Sequence, residues 1–168
     1  MIEQKTILSD DRRYRYTLWR DWADELFRNR TKEGFVQFIG LNPSTADETI
    51  NDPTIRRCVR FAKDWGYLAL CMTNVYAFRA TSPTKLKAEQ FPHGDDNFKY
   101  VGEVAKEAAI VVAAWGTHAA FIKEIPPLII SSVLEHGKPI YHLGLNSDGS
   151  PKHPLYLPHQ TQPTLWHE

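Results

Sequence analysis

A three-layer α/β/α sandwich with a mostly parallel central sheet is the fold this sequence predicts, and three observations predict it. Apolar runs of strand length recur at residues 35–39, 67–72, 109–114 and 139–143. Stretches with helical spacing separate them, so strands alternate with helices, and such alternation builds a parallel sheet covered on both faces. Polar turns follow the runs, as expected where buried strands stop at the ligand-binding carboxyl edge of an open sheet. The 168 residues are expected to form one domain, 1–168, large enough to bury a core without disulfides or metals.

The elements follow in chain order. Arg12-Arg13-Tyr14-Arg15-Tyr16-Thr17-Leu18-Trp19-Arg20 alternates basic with aromatic or apolar residues, predicting an N-terminal strand or hairpin. Its arginines have two readings: charges that guard a sheet edge, or a basic, aromatic surface for phosphates and bases. The strand at 35–39 runs into the loop Gly40-Leu41-Asn42-Pro43-Ser44-Thr45-Ala46-Asp47. Asp52 then supplies a helix cap and Pro53 suits the first helical position. Ile55, Cys58, Val59 and Ala62 form one buried face, Arg56, Arg57 and Arg60 occupy the rest, and Gly66 ends the helix.

The strand at 67–72 leads into a long mixed turn, 73–83, and a short helix carrying Leu86. A helix over 96–107 precedes the strand at 109–114, after which Trp115-Gly116-Thr117-His118 is expected to open another helix. Beyond the strand at 139–143, the segment from Gly144 onward reads as loop, with Pro151, Pro154, Pro158 and Pro163.

Composition narrows the function classes. Twenty basic and twenty acidic residues balance, so the whole-molecule field does not attract a polyanion, and nucleic-acid contact requires a local basic patch. Cys58 and Cys71 lie outside any CxxC spacing, which fits free buried thiols in a reducing cytoplasm. Residues 1–20 hold no apolar leader core, and no apolar run approaches a membrane span, so a cytoplasmic protein without a membrane partner is expected. GxGxxG, GxxxxGK[ST] and zinc spacings are missing, so neither cofactor nor metal is expected. Ser44 does not stand in the GxSxG elbow of an α/β-hydrolase.

Four polar strand ends converge on one predicted edge: the Asn42 loop, the Asn74 loop, Trp115 to His118, and His153-Pro154. An amide offers a donor and an acceptor together, suiting a nucleobase edge or a positioned water. A histidine donates to a developing oxyanion. Each residue alone reads as an ordinary turn or surface group; their joint placement makes the edge a candidate cleft. Asp47 and Asp52, flanking the first loop, read first as turn and capping residues.

Five segments carry a family resemblance: Gly40 to Asp47, Asn51 to Cys58, Trp65-Gly66-Tyr67, Thr73 to Thr81, and His153-Pro154-Leu155-Tyr156. On these the chain resembles, over nearly its whole length, the bacterial family called domain of unknown function 1643. More distantly, the order of its motifs is similar to the uracil-DNA glycosylase superfamily, especially the mismatch-specific, thymine-glycosylase-like branch. That resemblance implies a glycosylase-like fold with Asn42 positioning a water, Asn74 reading the base and His153 supporting the base carbonyl as the glycosidic bond breaks.

Gly40, Leu41, Pro43, Ser44, Tyr76, Phe78, Trp115 and His118 are candidates for base or nucleotide binding, Tyr76 and Phe78 standing only by position for the aromatic stacking residue of that superfamily. Arg79, Lys152, Leu155 and Tyr156 are candidates for nucleic-acid contact. The chain departs from that superfamily at Ser44, where a glycine is usual, and at Leu155, where a serine is. The expected function is nucleobase recognition, as a DNA N-glycosylase on a damaged or modified base. The alternatives are a non-catalytic nucleic-acid or nucleotide binding module and an enzyme of free nucleosides or nucleotides.

Overall fold

The computed structural model describes residues 4–22 and 32–168; residues 1–3 and 23–31, which the single-domain expectation also spans, lie outside the described residues. Among the described residues the strands are β1 (Ile7–Leu8), β2 (Arg15–Asp21), β3 (Val36–Gly40), β4 (Ala69–Asn74), β5 (Ile110–Ala113), β6 (Ile140–His142) and β7 (Thr164–His167). They form one sheet in the spatial order β1-β2-β4-β3-β5-β6-β7. The helices are α1 (Pro53–Asp64), α2 (Pro83–Ala88), α3 (Asn97–Glu107) and α4 (Ile125–Leu134).

The sheet is mixed rather than mostly parallel. β4, β3, β5 and β6 run parallel, while β1, β2 and β7 pair antiparallel with their neighbours. The parallel strands are those joined by helical crossovers, whereas β7 returns beside β6 without one and so runs the other way. Val36 and Phe38 pack with Ile55, Cys58 and Phe61 of α1, and Ile39 packs with Val101 and Val104 of α3 and Ile129 of α4. One layer of helix therefore covers each face. Among the described residues no helix is long and apolar enough to cross a membrane.

Local chemistry explains the starts of the helices. Asp52 accepts a 2.8 Å hydrogen bond from the Ile55 amide with Pro53 at the first helical position, and Ser82 caps α2 in the same way at Lys85. The 115–118 segment does not open a helix: a single 3-10 turn at Ala119–Phe121 intervenes, and α4 starts at Ile125, where two prolines follow. Proline suits the first turn of a helix and fixes the start there. The stretch after Gly144 is less irregular than expected, since it holds a 3-10 turn at Pro154–Tyr156 and then β7. Trp166 of β7 packs against Trp115, with ring centroids 5.6 Å apart.

The N-terminal hairpin exists, but its arginine strand is not the edge. β2 lies between β1 and β4, and residues 15–19 are all buried. At its far end Arg20 bonds to Asn51 Oδ1 (2.6 Å) and to the carbonyls of Trp19 (2.7 Å), Asp47 (2.7 Å) and Ile50 (3.0 Å). This arginine pins the loop after β3. Asp47 forms the expected local turn, accepting from the amides of Thr49 and Ile50.

Candidate functional site

Beyond the carboxyl ends of β3 and β4, a cleft of ≈170 Å³ opens on the α1 side of the sheet. Gly40, Leu41, Asn42 and Ser44 form one wall and Asn74 another; Asp52, Thr54 and Ile55 come from the start of α1, Ala80 to Pro83 from the approach to α2, and His153 from the late segment. Arg15, the first residue of β2, completes it. Six of the residues selected from sequence therefore share one cleft: Gly40, Leu41, Asn42, Ser44, Asn74 and His153.

Gly40 is there because Asn74 needs the space. A Cβ on residue 40 would lie 2.9 Å from Asn74 Oδ1, closer than real Cβ atoms come. The Asn74 backbone is held by Asn97, whose Nδ2 donates to the carbonyls of Asn74 (2.9 Å) and Val75 (3.0 Å). Asn74 itself is buried, and its Nδ2 has no partner among the described residues. A buried amide left without a partner is costly, so an unengaged donor in a cleft wall is available to a ligand.

Asn42 has a different balance. Its Nδ2 donates to the carbonyls of Pro43 (2.8 Å) and Ala80 (2.9 Å), with a longer contact to Phe78 (3.4 Å). The side chain thereby staples the β3 loop to the turn before α2, and the group it keeps for a ligand is Oδ1, an acceptor. His153 accepts from the Leu155 amide through Nδ1 (3.3 Å), which leaves the ring proton on Nε2. Burial lowers the pKa of His153 below its ordinary 6.5, against the opposing field of Asp52, so at neutral pH it is an uncharged donor.

Arg15 was not among the residues selected from sequence. Its side chain is 2% exposed, and its one hydrogen bond among the described residues runs from Nη1 to the Ala46 carbonyl, 2.8 Å away. The alternation of residues 12–20 suggested outward-pointing arginines, but alternation has no meaning in a strand buried on both faces. No signal in the alternation places it, because Trp19 packs in the cluster under α3 and α4, on the opposite face from the cleft that Arg15 lines.

The remaining candidates are placed elsewhere. Tyr76 is wholly buried, its hydroxyl donating to the Ala119 carbonyl, and Trp115 is buried against Trp166. Both belong to the cluster under α3 and α4, on the opposite face from the cleft. His118 is exposed and does not line it. Trp115 turns to the other face from Ala114, Tyr76 stands beyond the end of β4, and His118 is exposed in the loop after β5, so convergence of strand ends on one edge does not bring these three to the cleft. Pro43 is buried behind the loop, and its carbonyl receives the Ala80 amide.

Phe78 and Arg79 line a shallow groove with Arg12, Arg13, Thr45 and Lys85; it meets the cleft at Ser44, Ala80 and Thr81. Leu155 is half-buried and Tyr156 is 89% exposed; Lys152 lays its aliphatic chain over Gly144. None of these three lines the cleft. Among the described residues no group of three His, Cys, Asp or Glu side chains is placed to hold a metal ion.

Fold and cleft together define an α/β protein with a small polar cleft at the carboxyl edge of its parallel strands. A family model described as "Protein of unknown function (DUF1643)" matches residues 15–155, and the chain belongs to that family. No curated protein and no solved structure matches it.

Proposed function

We propose that the cleft takes a nucleobase and that the protein is a DNA N-glycosylase for a damaged or modified base, with a fold related to the uracil-DNA glycosylases. The observation that carries this reading is the meeting of Asn42, Asn74 and His153 in one cleft. Asn42 Oδ1 accepts from and orients a water, the Asn74 amide reads the base edge, and the Nε2 proton of His153 faces the charge that develops on the departing base. The water oxygen bonds to the sugar C1′ as the C1′–N bond breaks. The bonding pair leaves with the base, and one water proton ends on the base nitrogen. Asp52, the one carboxylate among the described residues of the lining, relays that proton.

A base reaches such a cleft only when swung out of the stack, and the groove of Arg79 and Lys85 lies where the flanking phosphates would run. The buried free thiols of Cys58 and Cys71 suit a reducing cytoplasm. A second reading, a binding module without chemistry or an enzyme of free nucleotides, draws on one observation: the Nδ2 of Asn42 is committed to loop carbonyls, so this residue also has a purely structural role.

The test is incubation with oligonucleotides bearing uracil, hypoxanthine, xanthine or modified pyrimidines. Alkali-labile abasic sites are expected, and Asn74→Ala should slow their formation by about 100-fold or more, the usual loss when one oriented donor is removed. Asn42→Ala is the poorer probe because it also unpins two loops. Binding without base release favours the second reading, and no abasic product from the whole panel overturns the first.

A further inference from the structure

We infer that the inner wall of the cleft is an anion-binding site in which Arg15 receives a negatively charged oxygen of the ligand. The two arginines of β2 make the argument. Arg20, only partly buried, has its guanidinium surrounded by one side-chain oxygen and several carbonyls. Arg15 is far deeper, yet it has the Ala46 carbonyl alone, forms no ion pair among the described residues, and leaves its buried Nε without a partner. A guanidinium carries five donors, and burying it this poorly paired is among the more destabilising arrangements a fold contains. Arg20 is a structural arginine; Arg15 has the environment of one that awaits an acceptor.

A second feature of the same wall agrees. Asn74 lines the cleft with Arg15, and its buried Nδ2 also has no partner among the described residues, so two residues of one cleft carry buried donors that lack acceptors. Acceptors of the lining include Asn42 Oδ1 and the carboxylate of Asp52, whose Oδ1 is engaged by the Ile55 amide. A ligand that satisfies the cleft therefore presents an anionic oxygen toward Arg15 and Asn74 and an N–H toward Asn42 and Asp52. Ionised oxo-purines and oxo-pyrimidines have that pattern. Burial pushes the Arg15 pKa down to about 10, with Asp52 opposing, so the side chain keeps its charge at neutral pH.

The identity of the oxygen rests on the nucleobase reading; the anion site does not. Two sources supply such an oxygen, an acidic base and a phosphate, and one experiment separates them. The probes are xanthine, which ionises close to neutrality, inorganic phosphate, and adenine, which has no oxygen. The readouts are the arginine Nε–H signals in ¹H–¹⁵N spectra and the thermal unfolding temperature, for the wild type, Arg15→Met and Arg15→Lys.

Xanthine is expected to move the Arg15 Nε–H signal and raise the unfolding temperature, while adenine does neither. Arg15→Lys should weaken xanthine binding by roughly tenfold or more, because an ammonium cannot reproduce the planar fork, and Arg15→Met should abolish it. Phosphate acting through Arg15 while xanthine does not supports the anion site and removes the nucleobase reading. Should neither anion shift the wild-type Arg15 signal, or should binding survive in Arg15→Met, the inference fails. The wild-type spectrum alone decides if Arg15→Met does not fold.

Discussion

His153 shows how one side chain ties the cleft to the pH response of the whole protein. Its folded pKa lies below 6.5 because burial disfavours the imidazolium, so in acid the unfolded chain takes up a proton that the folded protein resists. The stabilising contribution of the neutral ring is complete above 6.5 and falls away as the pH drops through the folded pKa. Urea unfolding at about pH 7.5 and about pH 5 should therefore show a loss of stability in the wild type that shrinks in His153→Gln. An equal loss in both proteins would mean that His153 is not the responsible group. His153 was legible in the sequence because a polar residue after the last parallel strand marks the functional edge. Arg15 was not legible, because reading it depends on knowing that β2 is an interior strand, which is a property of the assembled sheet.

At the scale of elements, α1 carries a doubled duty at the residue that caps its start. Asp52 caps the helix and is also the carboxylate of the cleft wall. The two roles separate by substitution. Asp52→Ala should cost about 1 kcal/mol in urea unfolding, the ordinary value of a lost cap, whereas Asp52→Asn keeps the cap and should cost only a few tenths. Asp52→Asn should also tighten anion binding by a few-fold, since it removes a like charge from the wall. Unchanged affinity would place the carboxylate too far from the ligand to matter. The starts of α1 and α2 were readable from Asp52-Pro53 and Ser82-Pro83, because capping is local chemistry. β7 was not, since it is held by pairing with β6 and by the packing of Trp166 on Trp115, both far away in sequence.

Over the whole molecule, balanced charge conceals a local imbalance. The groove beside the cleft is lined by Arg12, Arg13, Arg79 and Lys85, with no carboxylate among the described residues that line it. Arg12 is paired with Glu48 and Arg13 with Glu89, while Arg79 donates to the Arg12 carbonyl and Lys85 to Thr81. Two cations without carboxylate partners among the described residues predict a modest salt dependence: the logarithm of the binding constant for single-stranded DNA should fall with the logarithm of salt concentration at a slope of about −1.4, and Arg79→Ala should make it shallower by about 0.7. Anisotropy titrations at several salt concentrations measure both, and a flat dependence in the wild type excludes this groove as a phosphate track. The parallel core was predictable from alternating apolar runs; the antiparallel flanks were not, because direction there is set by how the chain enters and leaves the core.

The cleft takes Arg15 from a hairpin laid against one side of the parallel core and His153 from the segment that follows its last strand. During synthesis, α1 and the strands around it can associate well before His153 has left the ribosome, and the pairing of β2 with β4 spans a long stretch of chain. Ligand binding is therefore a late event in the life of each nascent molecule. A refolding experiment that follows both tryptophan fluorescence and ligand capture should see the core form first and the binding-competent protein appear afterwards.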